Sequence, residues 1–84
     1  MNIDEIKSIG FSNADSAFDQ ISQYNDLQDS IDSHLQNVMD TIHELGGSKQ
    51  DCKHCERFFR ERTQENLFKY KNLTFVKNYL KVDR

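Results

Sequence analysis

Residues 14–45 read ADSAFDQISQYNDLQDSIDSHLQNVMDTIHEL, and this stretch decides the fold. Its apolar side chains recur three and four positions apart, with Gln28 at the one polar position: Ala14, Ala17, Ile21, Tyr24, Ile31, Leu35, Val38, Ile42 and Leu45. This spacing is a heptad seam, which predicts one continuous helix of about 48 Å. Because the apolar stripe of such a helix needs a partner, we expect helices packed on helices and an all-α fold.

Glycine and capping residues at the ends of the apolar patterns set the expected helix limits. Asn2 can cap a short first helix that Gly10 stops, and Gly46-Gly47 ends the second helix. Ser48 and Asp51 have the spacing of a capping box at the start of the third helix. We therefore predict helices at about residues 2–9, 13–45 and 49–81, within a single helical domain of residues 1–84.

The segment Asn25-Asp26-Leu27-Gln28 leaves one alternative open inside the second helix. These residues could form a cap, and the helix would then break after Tyr24. We favour continuity, since the apolar seam keeps its phase through this point.

A tight turn at Gly46-Gly47 predicts that the second and third helices form a long antiparallel hairpin. Facing residues then have numbers that add up to about 94, so Leu35 faces Phe59 and Gln28 faces Asn66. In this register Asp32 pairs with Arg62. The short first helix is expected to fold back over a second apolar stripe on the third helix, formed by Phe68, Phe75, Tyr79 and Val82.

The charges are unevenly distributed along the 84 residues, whose net charge is −3. Residues 1–48 hold nine acids and one Lys, a balance of −8, whereas residues 49–84 hold ten Lys or Arg and five acids, a balance of +5. A duplex-binding protein is usually basic overall. We therefore expect two oppositely charged helices lying against each other, rather than nucleic-acid binding.

The N-terminus and the apolar content bear on location. Asp4 and Glu5 stand where a signal peptide would carry Lys or Arg, and no apolar run approaches the length of a membrane span. We expect a cytoplasmic protein without direct membrane insertion. In that compartment the two cysteines should be free thiols.

The sequence Cys52-Lys53-His54-Cys55 is the one motif that suggests site chemistry. The favoured interpretation is that Cys52 and Cys55 are small core residues. The alternatives are a zinc site formed by His43, Cys52 and Cys55, and a redox pair whose thiol pKa is lowered in the first turn of a helix. The three histidines are expected at the surface or at helix ends. No catalytic motif is present, so we expect neither an enzyme nor a bound cofactor.

Two apolar residues near the turn, Met39 and Phe58, have no cover in the hairpin and therefore suggest a contact with another chain. With His43 and Arg62 they form the predicted partner-binding surface: Met39, His43, Phe58 and Arg62. Its occupant would be either a second copy of the chain, giving a homodimer, or a target protein.

The chain resembles the cytoplasmic antiholins of T-even phages, which are accessory proteins of lysis inhibition. The features behind the resemblance are the length, the N-terminus without a signal sequence, the long acidic helix and the turn TIHELGG at residues 41–47. The resemblance covers the whole chain and implies binding to the cytosolic N-terminal segment of the phage holin, which delays pore formation and lysis. The alternatives are a small zinc-binding or redox-sensing helical module that uses Cys52 and Cys55, and another phage-encoded inhibitor of a host protein.

Overall fold

The computed structural model describes residues 1–81. Its helices are α1 (Ile3–Asp19), α2 (Leu27–Glu44), α3 (Lys49–Lys69) and α4 (Thr74–Lys81), and a 3-10 turn at Ile21–Gln23 follows α1. No strand occurs in this range. The predicted all-α class is therefore confirmed.

The first helix is a full member of the bundle. It is 17 residues long and packs against both α2 and α3, with its most extensive contact on α3, whereas α4 packs on α2. The prediction of a short first helix, followed by helices at 13–45 and 49–81, is therefore wrong in its limits. One core joins all four helices: Ile6, Ala14, Ala17, Phe18, Leu27, Ile31, Val38, Ile42, Cys55, Phe59, Leu67 and Val76.

Gly10 does not stop α1, which continues to Asp19. The glycine is buried where α1 crosses α3, and a Cβ there would lie 2.8 Å from the carbonyl oxygen of Cys55 and 2.9 Å from Cβ of Phe58. Gly10 thus permits a close approach of two helix backbones, which is a different use of glycine from a helix end.

The predicted continuous helix through Tyr24–Leu27 is wrong. The alternative is correct in the cap, although the first helix ends at Asp19 and not at Tyr24. Asp26 has extended backbone angles, and its side chain accepts a hydrogen bond from the backbone N–H of Asp29, so a new helix begins at Leu27. Leu27 is fully buried whereas Gln28 is exposed. The apolar seam therefore does not run through Gln28.

The predicted pairing of Gln28 with Asn66 is also wrong. Gln28 donates to Asp32 within α2, at 2.9 Å. Asn66 is buried and donates to Asp15 on α1, at 3.0 Å. Arg62 and Asn66, in the polar middle of α3, face α1, because α1 occupies a side of α3 that a two-helix hairpin would leave open.

The third helix ends at Lys69, where Tyr70 is the C-cap, and α4 follows a short link. Phe18 of α1 contacts Tyr70 and Phe75, with ring centroids 6.0 and 6.2 Å apart, so α1 covers part of the predicted second stripe. Phe68 of that stripe stays exposed, and Val82 lies outside the described residues.

The turn between α2 and α3 confirms the sequence prediction at both ends. Gly46 has φ 78°, and the N–H groups of Gly46 and Gly47 donate to the carbonyls of His43 and Ile42, which is a Schellman motif. Ser48 and Asp51 then form a reciprocal capping box, with hydrogen bonds of 3.1 and 2.9 Å.

Candidate interaction surface

The predicted partner-binding residues Phe58 and Arg62 make intramolecular contacts with Phe11 of α1. The rings of Phe11 and Phe58 meet edge to face with centroids 5.9 Å apart, and the Arg62 guanidinium lies 4.1 Å from the Phe11 centroid. Phe58 therefore has a cover that the sequence did not predict. We call these three residues, Phe11, Phe58 and Arg62, the Phe11 cluster.

Arg62 is held by carboxylates on two sides. Its guanidinium lies 3.9 Å from Asp15 on α1, and its Nε lies 3.6 Å from Glu65. The predicted pairing of Arg62 with Asp32 is therefore wrong. A hollow of about 180 Å³ beside it is lined by Asp15, Asp19, Arg62, Asn66, Lys69 and Tyr70. Two carboxylates and two cations line this hollow, so it favours neither an anion nor a cation. It lies at the contact between α1 and α3.

Met39 and His43 lie exposed on α2, one turn apart. The Cys52 thiol donates toward the carbonyl oxygen of Met39, at 4.0 Å, and His43 and Cys52 line one shallow hollow of about 290 Å³. Leu45 is 54% exposed just before the turn. The Sδ atom of Met1 lies so near Gly47 that a Cβ there would be 2.9 Å from it. We call Met1, Met39, His43, Leu45 and Cys52 the turn-end surface.

The structure thus divides the predicted site into two pairs. Met39 and His43 belong to the turn-end surface, whereas Phe58 and Arg62 lie against α1 in the Phe11 cluster. Whether Met39 and His43 bind a partner stays a prediction. Sequence reasoning missed the division because it took Gly10-Phe11 for a helix end, and no local signal separates a glycine at a helix end from one at a helix crossing.

The two cysteines have different surroundings. Cys55 is fully buried and its thiol donates to the carbonyl oxygen of Ile6, at 3.4 Å, whereas Cys52 is half-buried beside α2. Burial, with a smaller contribution from Cys52, raises the pKa of the Cys55 thiol to about 11. The redox interpretation expected a lowered pKa, and this geometry does not favour it.

The alternative zinc set of His43, Cys52 and Cys55 is not brought together. No group of three or more His, Cys, Asp or Glu side chains within residues 1–81 is arranged to hold a metal ion. Cys55 faces α1, while His43 and Cys52 lie at the turn. Cys55 acts as a small packing residue in this structure, as the favoured interpretation predicted.

His34 is a buried polar residue that sequence reasoning placed at the surface. Its Nδ1 donates to the carbonyl oxygen of Ser30, at 2.7 Å, and its Nε2 lies 3.3 Å from Oε1 of Gln20. Tyr24 meets the imidazole edge to face at 5.7 Å, and Ser30 donates to the carbonyl of Ala17 at 2.6 Å. The bonds from Ser30 to Ala17 and between His34 and Gln20 join α2 to the end of α1. The available signal was the spacing of His34 from Leu27 and Val38 on one helix face.

None of the helices within residues 1–81 combines the length and the apolar character that crossing a bilayer requires. Comparisons with protein-family models, with curated proteins and with solved structures found no match.

Proposed function

We propose that this protein is a small regulator that acts by binding another protein at the turn-end surface. Its partner, under the resemblance to cytoplasmic antiholins, is the cytosolic N-terminal segment of a phage holin, and binding delays lysis. We also propose that α2 and α3 are antiparallel neighbours across the turn, so that residues from both helices form the turn-end surface.

The observation that carries the proposal is the exposure of large apolar side chains at one end of the bundle. Leu45 is 54% exposed, and Met1 and Met39 are also exposed. Met1 lies close to Gly47 and the carbonyl of Met39 lies close to Cys52, and both Gly47 and Cys52 line the same hollow as His43. Methionines adapt their shape to a bound segment, and apolar side chains with a polar rim are typical of docking surfaces.

An amphipathic helix fits this surface better than an extended segment does. The described helices have no open sheet edge to which a strand could add, and the exposed apolar side chains favour contact with the apolar face of a helix. Lys49 and Lys53 line the hollow with His43 and can pair with acidic residues on the polar side of the bound helix.

Calorimetric titration with a synthetic peptide of the holin's cytosolic N-terminal segment tests the proposal. Met39→Asp with Leu45→Asp should weaken binding at least about tenfold, since apolar anchors dominate such interfaces. Leu73→Asp is the matched control, because Leu73 is similarly exposed but follows α3 at the far end of the chain. Unchanged binding by the double variant would contradict the turn-end assignment, and no binding by the wild-type chain would contradict the partner.

His43→Arg tests the same surface in cells. His43 is exposed, so the variant should fold normally by circular dichroism while the delay of lysis is lost. Phe58→Ala is a contrasting variant, because its effect should come through reduced stability of the α1–α3 contact. A sedimentation measurement that finds a homodimer, broken by Leu45→Asp, would indicate that a second copy occupies the surface instead.

A further inference from the structure

Helix α4 carries apolar side chains on both of its sides. Val76 is buried and Phe75 contacts Phe18, so one side packs on the bundle. Leu73 and Leu80 remain 45% and 49% exposed. The carbonyl of Leu73 accepts the N–H of Lys77, so Leu73, Lys77 and Leu80 follow helical spacing on one outward face.

This outward face lies in the most basic part of the chain. Residues 66–82 contain four lysines and no acid, a balance of +4. Since the net charge is −3, the rest of the chain carries −7. Lys77 and Lys81 flank Leu80 on exposed positions of α4, so cations and apolar side chains alternate on the same face.

Phe68 extends the same character to the end of α3. It is 72% exposed, and the ammonium of Lys71 lies 4.6 Å from its ring centroid. The Phe68 ring is therefore not part of the hydrophobic core. We call Phe68, Lys71, Leu73, Lys77, Leu80 and Lys81 the lysine–leucine surface.

We propose that the lysine–leucine surface adsorbs reversibly to an anionic phospholipid bilayer. Lysines attract acidic headgroups, while Phe and Leu side chains enter the boundary between headgroups and acyl chains. The charge of −7 on the rest of the chain is repelled by such a bilayer, which favours an orientation with the lysine–leucine surface toward it. Adsorption brings the protein to the membrane in which a holin would reside, but it does not depend on the proposed protein partner.

A bilayer fits this surface better than a second protein does. The hollow beside α4, about 220 Å³, is lined by Asp26, Leu27, Gln28, Asn78 and Tyr79, none of which belongs to the lysine–leucine surface. Phe68 and Leu80 are exposed near the C-terminal ends of α3 and α4, and exposed apolar side chains beside lysines suit the deformable boundary of a bilayer.

Co-sedimentation of the full chain with vesicles provides the first test. We expect binding to vesicles of phosphatidylcholine mixed with phosphatidylglycerol, weak or no binding to phosphatidylcholine alone, and loss of binding at high salt. Lys71→Glu with Lys77→Glu should lower partitioning at least about tenfold, as should Phe68→Ser with Leu80→Ser. The matched controls Lys53→Glu and Leu45→Ser change exposed residues elsewhere and should have little effect.

The absence of tryptophan from the chain allows a second, local test. Leu80→Trp should show a blue-shifted emission on anionic vesicles and quenching by brominated lipids, whereas Leu45→Trp should show neither. Equal responses of both reporters, or no vesicle binding, would overturn the proposal. Dependence on Lys71 and Lys77 without dependence on Phe68 and Leu80 would indicate electrostatic attraction to the headgroups alone, and would overturn the insertion of the apolar side chains.

Discussion

Gly10 and Cys55 bring the backbones of α1 and α3 into contact. A Cβ on Gly10 would lie 2.8 Å from the carbonyl oxygen of Cys55, a distance that real Cβ atoms essentially never show. This crossing places α1 beside α3 along the cluster of Phe11 and Phe58. The first helix, predicted to be short, is therefore the helix that packs against both α2 and α3.

Gly10→Ala should therefore destabilise the protein, although alanine favours a helix over glycine by about 1 kcal/mol. The added methyl group must push α1 away from α3, and overpacking of this kind costs about 1–3 kcal/mol. Urea unfolding monitored by circular dichroism measures the change. Ser12→Ala is the control, because Ser12 is exposed on the same helix and should be neutral or slightly stabilising. Equal stability of Gly10→Ala and wild type would contradict the close crossing.

Phe11 and Phe58 should show a measurable coupling in a double-mutant cycle with Phe11→Leu and Phe58→Leu. Edge-to-face aromatic pairs contribute about 0.5–1.5 kcal/mol beyond the area that they bury. The two single changes should each lower the free energy of unfolding, and the double change should lower it by less than their sum. Strict additivity would show that the rings do not contact each other in solution.

Asp26→Ala distinguishes a broken second helix from a continuous one. As an N-cap, Asp26 accepts from the N–H of Asp29, and its loss should cost about 1 kcal/mol. In a continuous helix the same change would be stabilising, because alanine is the better helix former. Asp26→Asn, which keeps a capping oxygen, should retain most of the stability in thermal unfolding.

The buried thiol of Cys55 makes stability depend on pH on the alkaline side. Between the ordinary thiol pKa of 9.0 and about 11, the unfolded chain releases this proton whereas the folded chain retains it. The free energy of unfolding should therefore fall as pH rises through that window, and this group adds no pH dependence below it. Urea unfolding of wild type and Cys55→Ala across this pH range isolates the effect. The difference between their free energies of unfolding should narrow as pH rises. A constant difference would contradict the shifted pKa.

The sequence predicted the helical class and the α2–α3 turn because those signals are local. Ser48 and Asp51 form the capping box that their spacing indicated, and Gly46 adopts the positive φ that a helix end favours. Asn2 likewise caps α1 by accepting from the N–H of Glu5. Each of these contacts joins residues only a few positions apart, so spacing along the chain contains the necessary information.

The predictions that were wrong depended on contacts between residues that are distant in the sequence. Gly10 can end a helix or lie at a helix crossing, and only the approach of α3 decides between the two. The predicted pairing of Asn66 with Gln28 follows from a hairpin of α2 and α3 alone, whereas the partner of Asn66, Asp15, lies on α1. The predicted site divided for the same reason, since Phe11 covers Phe58 but leaves Met39 exposed.

The most direct test of the proposed function is a chemical-shift map of the isotope-labelled chain titrated with the holin's cytosolic N-terminal segment. We expect the largest backbone changes in Met39–Lys53 and around Met1, with small changes at Phe11 and Phe58. Met39→Asp with Leu45→Asp should abolish these changes, while the spectrum of the free variant remains that of a folded protein. Shifts concentrated at Phe11, Phe58 and Arg62, or no shifts at saturating peptide, would contradict binding at the turn-end surface.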